Sequence, residues 1–163
     1  MFREMRKHKR QLPQEEIPAI LARASNGVLA CCGDDGYPYA VPLNYVYMDG
    51  KICFHSAKEG HKIDALTRQP KVSFAVVGED TIVSAEYTSY FRSVIAFGKA
   101  RIAEGEERIK ALEALVEKYS SDQPEASKRE TIDRCTMAHV VVIDVEHLTG
   151  KEAKEYAEQR KAK

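Results

Sequence analysis

Residues 55–62, HSAKEGHK, bring imidazole, hydroxyl and ammonium groups together within a short stretch of chain. Ser56 and Glu59 have the S-x-x-E spacing of a capping box, which predicts a helix that starts at Ala57. The N-terminus of a helix attracts anions, because it offers free backbone N–H groups and the positive end of the helix dipole. Three possible cationic donors and a glycine that lets a ligand approach the backbone follow: Lys58, His61, Lys62 and Gly60. The pattern predicts a site for a phosphate group.

Two other interpretations of this segment stay open. It could be a solvated helix start whose charges only keep the surface soluble, because Glu59 partly offsets the positive field. His55 and His61 could instead bind a metal ion, but their spacing is neither i,i+4 nor that of one strand face. No carboxylate is obviously in register with these two histidines, so we predict no metal ligand.

The chain has no G-x-S-x-G, P-loop or G-x-G-x-x-G motif. The pair Asp34 and Asp35 lies in a predicted turn, where aspartate is common for conformational reasons. No nucleophile or acid–base pair is therefore evident among the protein side chains. If the protein is an enzyme, we expect a bound cofactor to carry the reaction.

Composition excludes several classes of protein. The chain has 163 residues, with 25 Lys+Arg and 25 Asp+Glu, and this balance argues against a nucleic-acid partner. No apolar stretch approaches the ~20 residues that a membrane-spanning helix needs. The first ten residues are basic but no apolar region follows them, so we expect no signal peptide and a cytoplasmic location.

The four cysteines have no C-x-x-C spacing that would suggest a zinc site or a redox motif. Cys31 and Cys32 are adjacent on a predicted strand, so their side chains should point to opposite faces. We expect buried free thiols in a reducing compartment rather than a disulfide framework.

Most of the chain alternates between apolar and polar residues with the period of half-buried strands. Turns at 33–36 and 49–50 contain Asp-Gly and predict two hairpins. Asp80–Tyr90 has few apolar anchors and is either an edge strand or a loop over a site. The predicted strands are Gly27–Cys32, Tyr37–Met48, Lys51–His55, Lys71–Val77, Ser93–Ala103 with an interruption at Gly98, and Val140–Val145, the last buried on both faces.

Helical periodicity marks four other segments. The predicted helices are Leu12–Ala24 with Pro18 in the first turn, a short one within Ser56–Gln69, Gly105–Tyr119, and Thr149–Lys161. Ser120–Lys128 is predicted to be a polar connection. About six strands with short turns favour a closed or nearly closed antiparallel barrel. We expect a mainly β fold with flanking α-helices, in a single domain over residues 1–163 with helical extensions at both ends.

Four stretches, in this order and spacing, resemble a known family: MFREMRKHKRQLP, GYPYAVPLNYVY, FHSAKEGHKIDAL and YTSYFRSVIAFGKARI. They are similar to the FMN-binding split barrels of the pyridoxamine 5'-phosphate oxidase-like group, and within it to the nitroimidazole-resistance (Nim-type) branch. The resemblance covers about residues 1–119. It implies a six-stranded antiparallel split β-barrel that forms a homodimer, with FMN bound at the subunit interface.

The resemblance also implies which residues bind FMN. These are Pro42, Leu43 and Asn44 at the edge of the isoalloxazine ring, His55, Ser56 and Ala57 along the flavin and ribityl chain, Lys58, His61 and Lys62 at the phosphate, and Ser93 and Val94 from a later strand. In Nim-type relatives the histidine of the F-H-S-A motif lies near the flavin, so His55 is the predicted catalytic residue. Tyr87, Tyr90 or Phe91 would cover the ring from the partner chain.

Three of these residues also have a purely structural interpretation. Pro42 could mark a strand edge or bulge, because proline cannot donate to a ladder. His55 could be a strand-end histidine, and Ser93 an ordinary strand residue.

The chain departs from true pyridoxamine-phosphate oxidases, since it has no tryptophan and its C-terminal part lacks their Arg/His-rich substrate motif. We therefore expect an FMN-dependent oxidoreductase that reduces a small acceptor such as a nitroaromatic, with electrons from a reduced nicotinamide or another donor. The alternatives are a non-catalytic flavin or haem carrier or sensor, and a split-barrel dimer that has lost its cofactor.

Overall fold

A computed structural model describes residues 2–161 as a mainly antiparallel β-sheet with flanking helices. The strands are β1 (Gly27–Cys32), β2 (Pro38–Leu43), β3 (Val46–Met48), β4 (Lys51–Ala57), β5 (Lys71–Val83), β6 (Thr88–Ile102) and β7 (Ala138–Glu152). The helices are α1 (Ile17–Arg23), α2 (His61–Arg68), α3 (Gly105–Ser120), α4 (Glu125–Arg134) and α5 (Lys154–Lys161). The strand order in the sheet is β2-β1-β5-β6-β7-β4-β3.

The expectation of six strands is wrong by one, because the predicted strand Tyr37–Met48 is broken at Asn44 and Tyr45. The backbone of Tyr45 leaves the ladder: its N–H donates to the Tyr119 hydroxyl at 3.0 Å, and its carbonyl oxygen lies 2.8 Å from the same hydroxyl. The Tyr45 ring is buried, and its own hydroxyl donates to the Leu21 carbonyl at 2.6 Å. Side-chain hydrogen bonds thus replace the ladder at this point, and two strands, β2 and β3, result.

The sheet is open, since no ladder joins its edge strands β2 and β3 within the described residues. The two edges are nevertheless consecutive in sequence, and the three residue steps from Leu43 to Val46 span at most about 11 Å. The sheet therefore coils until its two edges approach each other. Its inner face packs around one apolar cluster that takes side chains from β1, β4, β5, β6 and β7, with α1 and α2.

The prediction that Val140–Val145 is buried on both faces is confirmed for the first four residues, each 0% exposed. Val141 and Ile143 belong to the inner cluster, whereas Val140 and Val142 pack with α3 in a second cluster. Full burial of a side chain of this size stabilises the fold by roughly 1.5–3 kcal/mol. β7 therefore links the coiled sheet to the helices outside it.

Both predicted hairpin turns are confirmed. Asp49 (φ 48°) and Gly50 (φ 74°) have the two positive φ angles of a type I′ turn between β3 and β4. Residues 33–36 connect the antiparallel pair β1 and β2. The uncertain segment Asp80–Tyr90 is a hairpin extension, in which the β5–β6 ladder continues to Val83 and Thr88.

The interruption predicted at Gly98 is also confirmed, as a register shift in the β6–β7 ladder. A Cβ atom at this position would lie 2.3 Å from the carbonyl oxygen of Asp144, so only glycine fits. The close approach of the two backbones explains the glycine.

The helix predictions hold in type but not in all boundaries. Pro18 lies in the first turn of α1, as predicted, but the helix begins at Ile17 because a 3-10 turn precedes it. The prediction of a helix over Thr149–Lys161 is wrong in its first part, because residues 149–152 pair with β6 and extend β7. None of the helices within residues 2–161 is both long enough and apolar enough to cross a bilayer.

The polar connection predicted for Ser120–Lys128 is wrong after Pro124, since α4 begins at Glu125. Its one buried residue is Lys128, whose ammonium group pairs with Glu117 at 3.1 Å and Glu125 at 2.9 Å. A helix held by ion pairs shows no apolar periodicity, and the sequence pattern therefore did not reveal it.

The four cysteines are free thiols. Cys31 is buried and Cys32 is exposed, which confirms that the two side chains point to opposite faces of β1. The expectation that all thiols are buried is wrong for Cys32, and Cys135 is only half-buried. Burial raises the pKa of Cys53 to about 11, so this thiol is protonated at neutral pH.

Candidate functional site

His55 and Ser56 lie at the end of β4 and point to opposite faces of the strand. Ser56 is buried on the same face as Phe54, towards the inner cluster. His55 is exposed on the other face, the one from which Cys53 packs against α3. The two adjacent residues therefore face different parts of the molecule: Ser56 faces the inner cluster, and His55 faces the side of α3.

Asn44, at the strand break, and His55, at the end of β4, line the same cavity. The β3–β4 ladder itself ends at the pair Val46 and Cys53. The Asn44 amide nitrogen donates to the carbonyl of Ser25 at 2.9 Å, which fixes the side chain. The break in the strand thus brings one predicted ring-edge residue next to the predicted catalytic histidine.

Asn44 and His55 line a cavity of about 310 Å³ between β4 and the α3–α4 pair. This volume lies within the range of small-molecule sites, which combine apolar walls with a few polar groups. The apolar part of the wall comes from Leu112, Leu115, Val116, Tyr119, Ile132 and Cys135. The sequence did not indicate that these residues form part of a site, because they follow β4 by more than fifty positions.

Tyr119 holds the strand break in place as well as lining the cavity. Its hydroxyl lies 2.7 Å from the Ser25 carbonyl oxygen and 2.8 Å from that of Tyr45, and it accepts the Tyr45 N–H. The backbone of Tyr45, which follows Asn44, and that of Ser25 are therefore tied to α3. The Tyr119 hydroxyl thus gives hydrogen-bond partners to the N–H and the carbonyl oxygen of the buried residue Tyr45.

The capping-box prediction is wrong. Ser56 pairs with His139 in the β4–β7 ladder, so β4 continues to Ala57 and the Ser56 hydroxyl caps no helix. Helix α2 begins only at His61, after Gly60, which has a φ of 123° that favours glycine. The free N–H groups of the helix start therefore belong to residues 61–63.

Lys62 is half-buried in the first turn of α2, with its Nζ atom 5.5 Å from the centroid of the Phe54 ring. Burial lowers the pKa of this ammonium group, and the nearby thiol of Cys31 acts in the opposite direction. The helix dipole also disfavours a cation at this end of the helix. A bound anion would relieve both effects.

His61 is oriented by two residues of the β1–β2 hairpin. Its ring stacks on that of Tyr39 at 4.1 Å between centroids, and its Nε2 atom lies 3.5 Å from a carboxylate oxygen of Asp34. Arg68 pairs with the other oxygen of the same carboxylate at 2.9 Å. Asp34, predicted only as a turn residue, therefore also connects the hairpin to α2. Lys58 is exposed in the turn that joins β4 to α2.

Ser93 and Val94 lie away from the other predicted residues. They pair with residues 151 and 150 of β7, whereas His55 pairs with Val140 near the opposite end of that strand. Val94 is 0% exposed in the inner cluster, so it offers no accessible surface to a ligand in this structure. Ser93 points to the outer face of the sheet, three strands from Pro42, on the order of 15 Å at the usual strand spacing.

The three aromatic residues predicted to cover a ring differ in exposure and in packing within the chain. Tyr87 is 99% exposed at the tip of the β5–β6 hairpin. Tyr90 packs against Tyr156 with 5.4 Å between ring centroids, and Phe91 lies 5.5 Å from the Nζ atom of Lys151. Tyr87 alone has its full side chain available to a partner.

No group of three or more His, Cys, Asp or Glu side chains within residues 2–161 has an arrangement suited to a metal ion. The polar side chains divide between the two faces of β4: Asn44 lines the cavity together with His55, whereas Ser56 and Lys62 lie on the face of Phe54. The ammonium group of Lys62 suits an anionic group of a ligand.

Comparison with known proteins shows which proteins this chain resembles in sequence and fold. A curated relative, an uncharacterized protein of Rhizobium meliloti strain 1021, is 33% identical over 93 residues, 55% of this chain and 54% of its own length, so the chain matches about half of that protein. The fold is similar to that of a candidate 5-nitroimidazole antibiotic resistance protein from Bacteroides thetaiotaomicron, with a TM-score of 0.72, 26% identity and coverage of 87% and 86% of the two chains.

A FAD-binding protein from Mesorhizobium loti is also similar, with a TM-score of 0.59, 25% identity and coverage of 89% of this chain and 98% of its own. The family model described as pyridoxamine 5'-phosphate oxidase matches residues 13–152, which include both edges of the sheet, the cavity and α2. This chain belongs to the pyridoxamine 5'-phosphate oxidase family.

Proposed function

We propose that this protein is a homodimeric FMN-dependent oxidoreductase that reduces a small acceptor such as a nitroaromatic. The observation that carries the proposal is the meeting of Asn44 and His55 at an apolar cavity, close to the end of β4 that leads into the cationic helix start. When bound, FMN would supply the transfer of electrons. The similarity to a FAD-binding protein and to a candidate nitroimidazole-resistance protein supports this assignment.

The residues at the start of α2 suit the phosphate end of the cofactor. Lys62 is a half-buried cation whose lowered pKa reflects poor solvation, and its position beside free helix N–H groups favours a dianion. His61 and Lys58 supply further donors, and the Ser56 hydroxyl is the buried polar group on the inner face. From this anchor the strand leads back towards Asn44, which would edge the ring.

Ser93 supports a site shared by two chains. Ser93 lies three strands from Pro42, on the order of 15 Å, away from the other predicted cofactor residues of its own chain. Ser93 lies on the outer face of the sheet, next to a cross-strand row of exposed, uncharged residues in which Val28, Ala75 and Ile95 pair directly. We assign this outer face to the dimer contact, where Ser93 would reach the cofactor of the partner subunit.

His55 would act on the acceptor from the cavity. The apolar walls from α3 and α4 favour a flat organic molecule and exclude water from it. The imidazole of His55 and the amide of Asn44 would orient the acceptor through hydrogen bonds, and the hydroxyls of Ser120 and Thr131 line the same cavity. His55 would also supply a proton where the acceptor gains charge.

The test begins with the absorption spectrum of purified protein, followed by titration with FMN. We expect flavin bands near 370 and 450 nm, roughly those of free flavin, and weaker FMN binding by about tenfold in Lys62→Ala, because one close charge interaction is lost. Lys110→Ala, an exposed lysine of α3 that pairs with Glu106, is the matched control and should bind FMN normally. A protein that stays colourless after incubation with FMN would overturn the proposal.

The second measurement separates binding from chemistry. We expect His55→Gln to keep the flavin spectrum and to reduce a nitroaromatic acceptor at least about tenfold more slowly. A carrier of the same cofactor is the second candidate function, favoured by one observation: no hydrogen bond within residues 2–161 orients the His55 ring. Tight FMN binding without reduction of any acceptor would establish the carrier.

A further inference from the structure

A basic cleft lies between the N-terminal turn that precedes Gln11 and helix α5. Its volume is about 430 Å³, within the range of sites that hold a small ligand. Six Lys or Arg side chains line it against a single carboxylate, that of Glu158. The six cations are Arg6, Lys7, Lys9, Arg10, Lys154 and Lys161, with His8 beside them.

Only one of these cations has an internal partner in the part of the chain that the structure describes. Lys154 lies 3.4 Å from Glu158, whereas no ion pair of the described residues joins the other five to a carboxylate. The whole chain has equal numbers of acidic and basic residues, 25 of each, so the cleft is a local concentration of positive charge. Like charges gathered in a concave surface raise the potential there and attract anions.

The two walls of the cleft are fixed to each other and to the sheet. Arg160 of α5 donates to the carbonyl oxygen of Gln11 at 3.2 Å, and the backbone N–H of Leu12 donates to the carbonyl of Gly150 at 3.0 Å. Gln11 also forms a bridge with Lys151. The cleft is therefore held in shape by the end of β7 rather than formed by a loose terminal segment.

The cleft adjoins Ser93 and Val94, the candidate cofactor residues that lie away from the others. Lys151, which bridges to Gln11, pairs with Ser93 in the β6–β7 ladder. In the proposed function, Ser93 reaches the flavin of the partner subunit. An anion held in the cleft would then lie beside that flavin.

We propose that the basic cleft binds the phosphate groups of a small anionic molecule, and that this molecule is the phosphate-bearing dinucleotide that donates electrons. The first part stands on the cleft alone. The second part rests on the proposed function, because it needs the flavin of the partner subunit near Ser93. Several free cations around about 430 Å³ match a ligand with two or three phosphates better than one with a single charge.

The first test is calorimetric titration of the full-length protein with pyrophosphate at low ionic strength. The cleft variant carries Lys7→Gln and Lys9→Gln, both exposed, and the control variant carries Lys110→Gln and Arg134→Gln, which remove the same charge elsewhere. A unit charge pair at 4 Å in a water-like medium is worth about a factor of five in affinity. We expect pyrophosphate to bind the cleft variant at least about fivefold more weakly, and the control variant as the wild type.

Equal pyrophosphate affinity in all three proteins would overturn the phosphate site. This titration needs no flavin, so it decides on the cleft even if the protein proves not to bind FMN. Both variants are first compared with the wild type by thermal unfolding, and exposed substitutions should leave the transition unchanged.

The second test identifies the source of the phosphates. Flavin reduction is followed with NADPH and with N-benzyl-dihydronicotinamide, a hydride donor that has no phosphate. We expect the cleft variant to raise KM for NADPH by about fivefold and to leave the phosphate-free donor unaffected. Weaker pyrophosphate binding with an unchanged KM for NADPH would overturn the assignment to the electron donor.

Discussion

Replacing Tyr119 with phenylalanine removes one hydroxyl group from the end of α3 and leaves the ring in place. That hydroxyl lies 2.7 Å from the Ser25 carbonyl oxygen and 2.8 Å from that of Tyr45, and it accepts the Tyr45 N–H at 3.0 Å. A hydroxyl has a single proton, so it serves one carbonyl at a time while it accepts from the N–H. The variant Tyr119→Phe therefore loses two hydrogen bonds at any moment.

The cost is set mainly by the Tyr45 N–H. Tyr45 is 0% exposed, and a buried donor without a partner costs about 1–3 kcal/mol. Ser25 is exposed, so its carbonyl oxygen regains a hydrogen bond from water. We expect Tyr119→Phe to lower the free energy of unfolding by about 2 kcal/mol. For a chain of 163 residues this corresponds to a decrease in Tm of roughly 4–8 °C.

The assay is urea denaturation of Tyr119→Phe beside Tyr47→Phe. Tyr47 is half-buried in β3, and its hydroxyl makes no hydrogen bond within residues 2–161, so its removal should cost less than about 0.5 kcal/mol. Hydrogen exchange of the Tyr45 amide gives an independent readout, and we expect its protection to fall in Tyr119→Phe only. Equal stability of the two variants, or unchanged protection of that amide, would refute the reasoning.

Three further predictions concern other buried or crowded positions. Arg160→Met should destabilise the protein by about 3 kcal/mol in urea denaturation, because Glu152 is 0% exposed and its carboxylate loses a partner at 2.6 Å. Adding Glu152→Gln to this variant should restore part of the lost stability, because the buried charge is then removed. A double variant no more stable than Arg160→Met alone would contradict this reasoning. Hydrogen bonds from Arg101 lower the pKa of Glu107 from 4.5 to about 2, so its contribution is present above about pH 4.5 and is lost as the pH falls towards 2. This carboxylate is a third exposed, so the effect is at most about 1 kcal/mol, and Glu107→Gln should flatten stability against pH over that window; identical profiles would oppose it. Gly98→Ala should cost more than about 2 kcal/mol in thermal unfolding, since its Cβ would lie 2.3 Å from a backbone oxygen of β7, and a Tm equal to that of the wild type would exclude the clash.

The sequence predicted those features of the fold that neighbouring residues determine. The Asp49-Gly50 turn, the proline in the first turn of α1 and the buried run Val140–Ile143 each depend on residues close in sequence. Backbone conformation and apolar periodicity are local properties, and the structure confirms them.

Predictions failed where a distant segment competes with a local pattern. Ser56 and Glu59 have capping-box spacing, but the ladder to β7 extends β4 through Ser56 and shifts the helix start to His61. In the same way, pairing with β6 makes residues 149–152 a strand instead of a helix. Each ladder adds hydrogen bonds that a local motif cannot match, and the partner strand is not visible in the local sequence.

The candidate site was only partly predictable for the same reason. The segment around His55 stands out by its residue types, whereas the cavity wall from α3 and α4 is ordinary apolar helix until the fold brings it next to His55. Asp34 and Tyr39, which orient His61, come from a hairpin whose sequence indicates only a turn. Supporting residues of this kind carry no local signal.

The strand break at Asn44 and Tyr45 connects the fold to the site. It lets one continuous segment pair with β1 on one side and β4 on the other, and so supply both edges of the coiled sheet. It also places Asn44 at the cavity that His55 lines. The Tyr119 hydroxyl satisfies the backbone at the break, and the same residue lines the cavity. Because one side chain fixes the break and bounds the cavity, changes at Tyr119 should alter stability and the acceptor site together, whereas Lys62→Ala should act on the phosphate end alone.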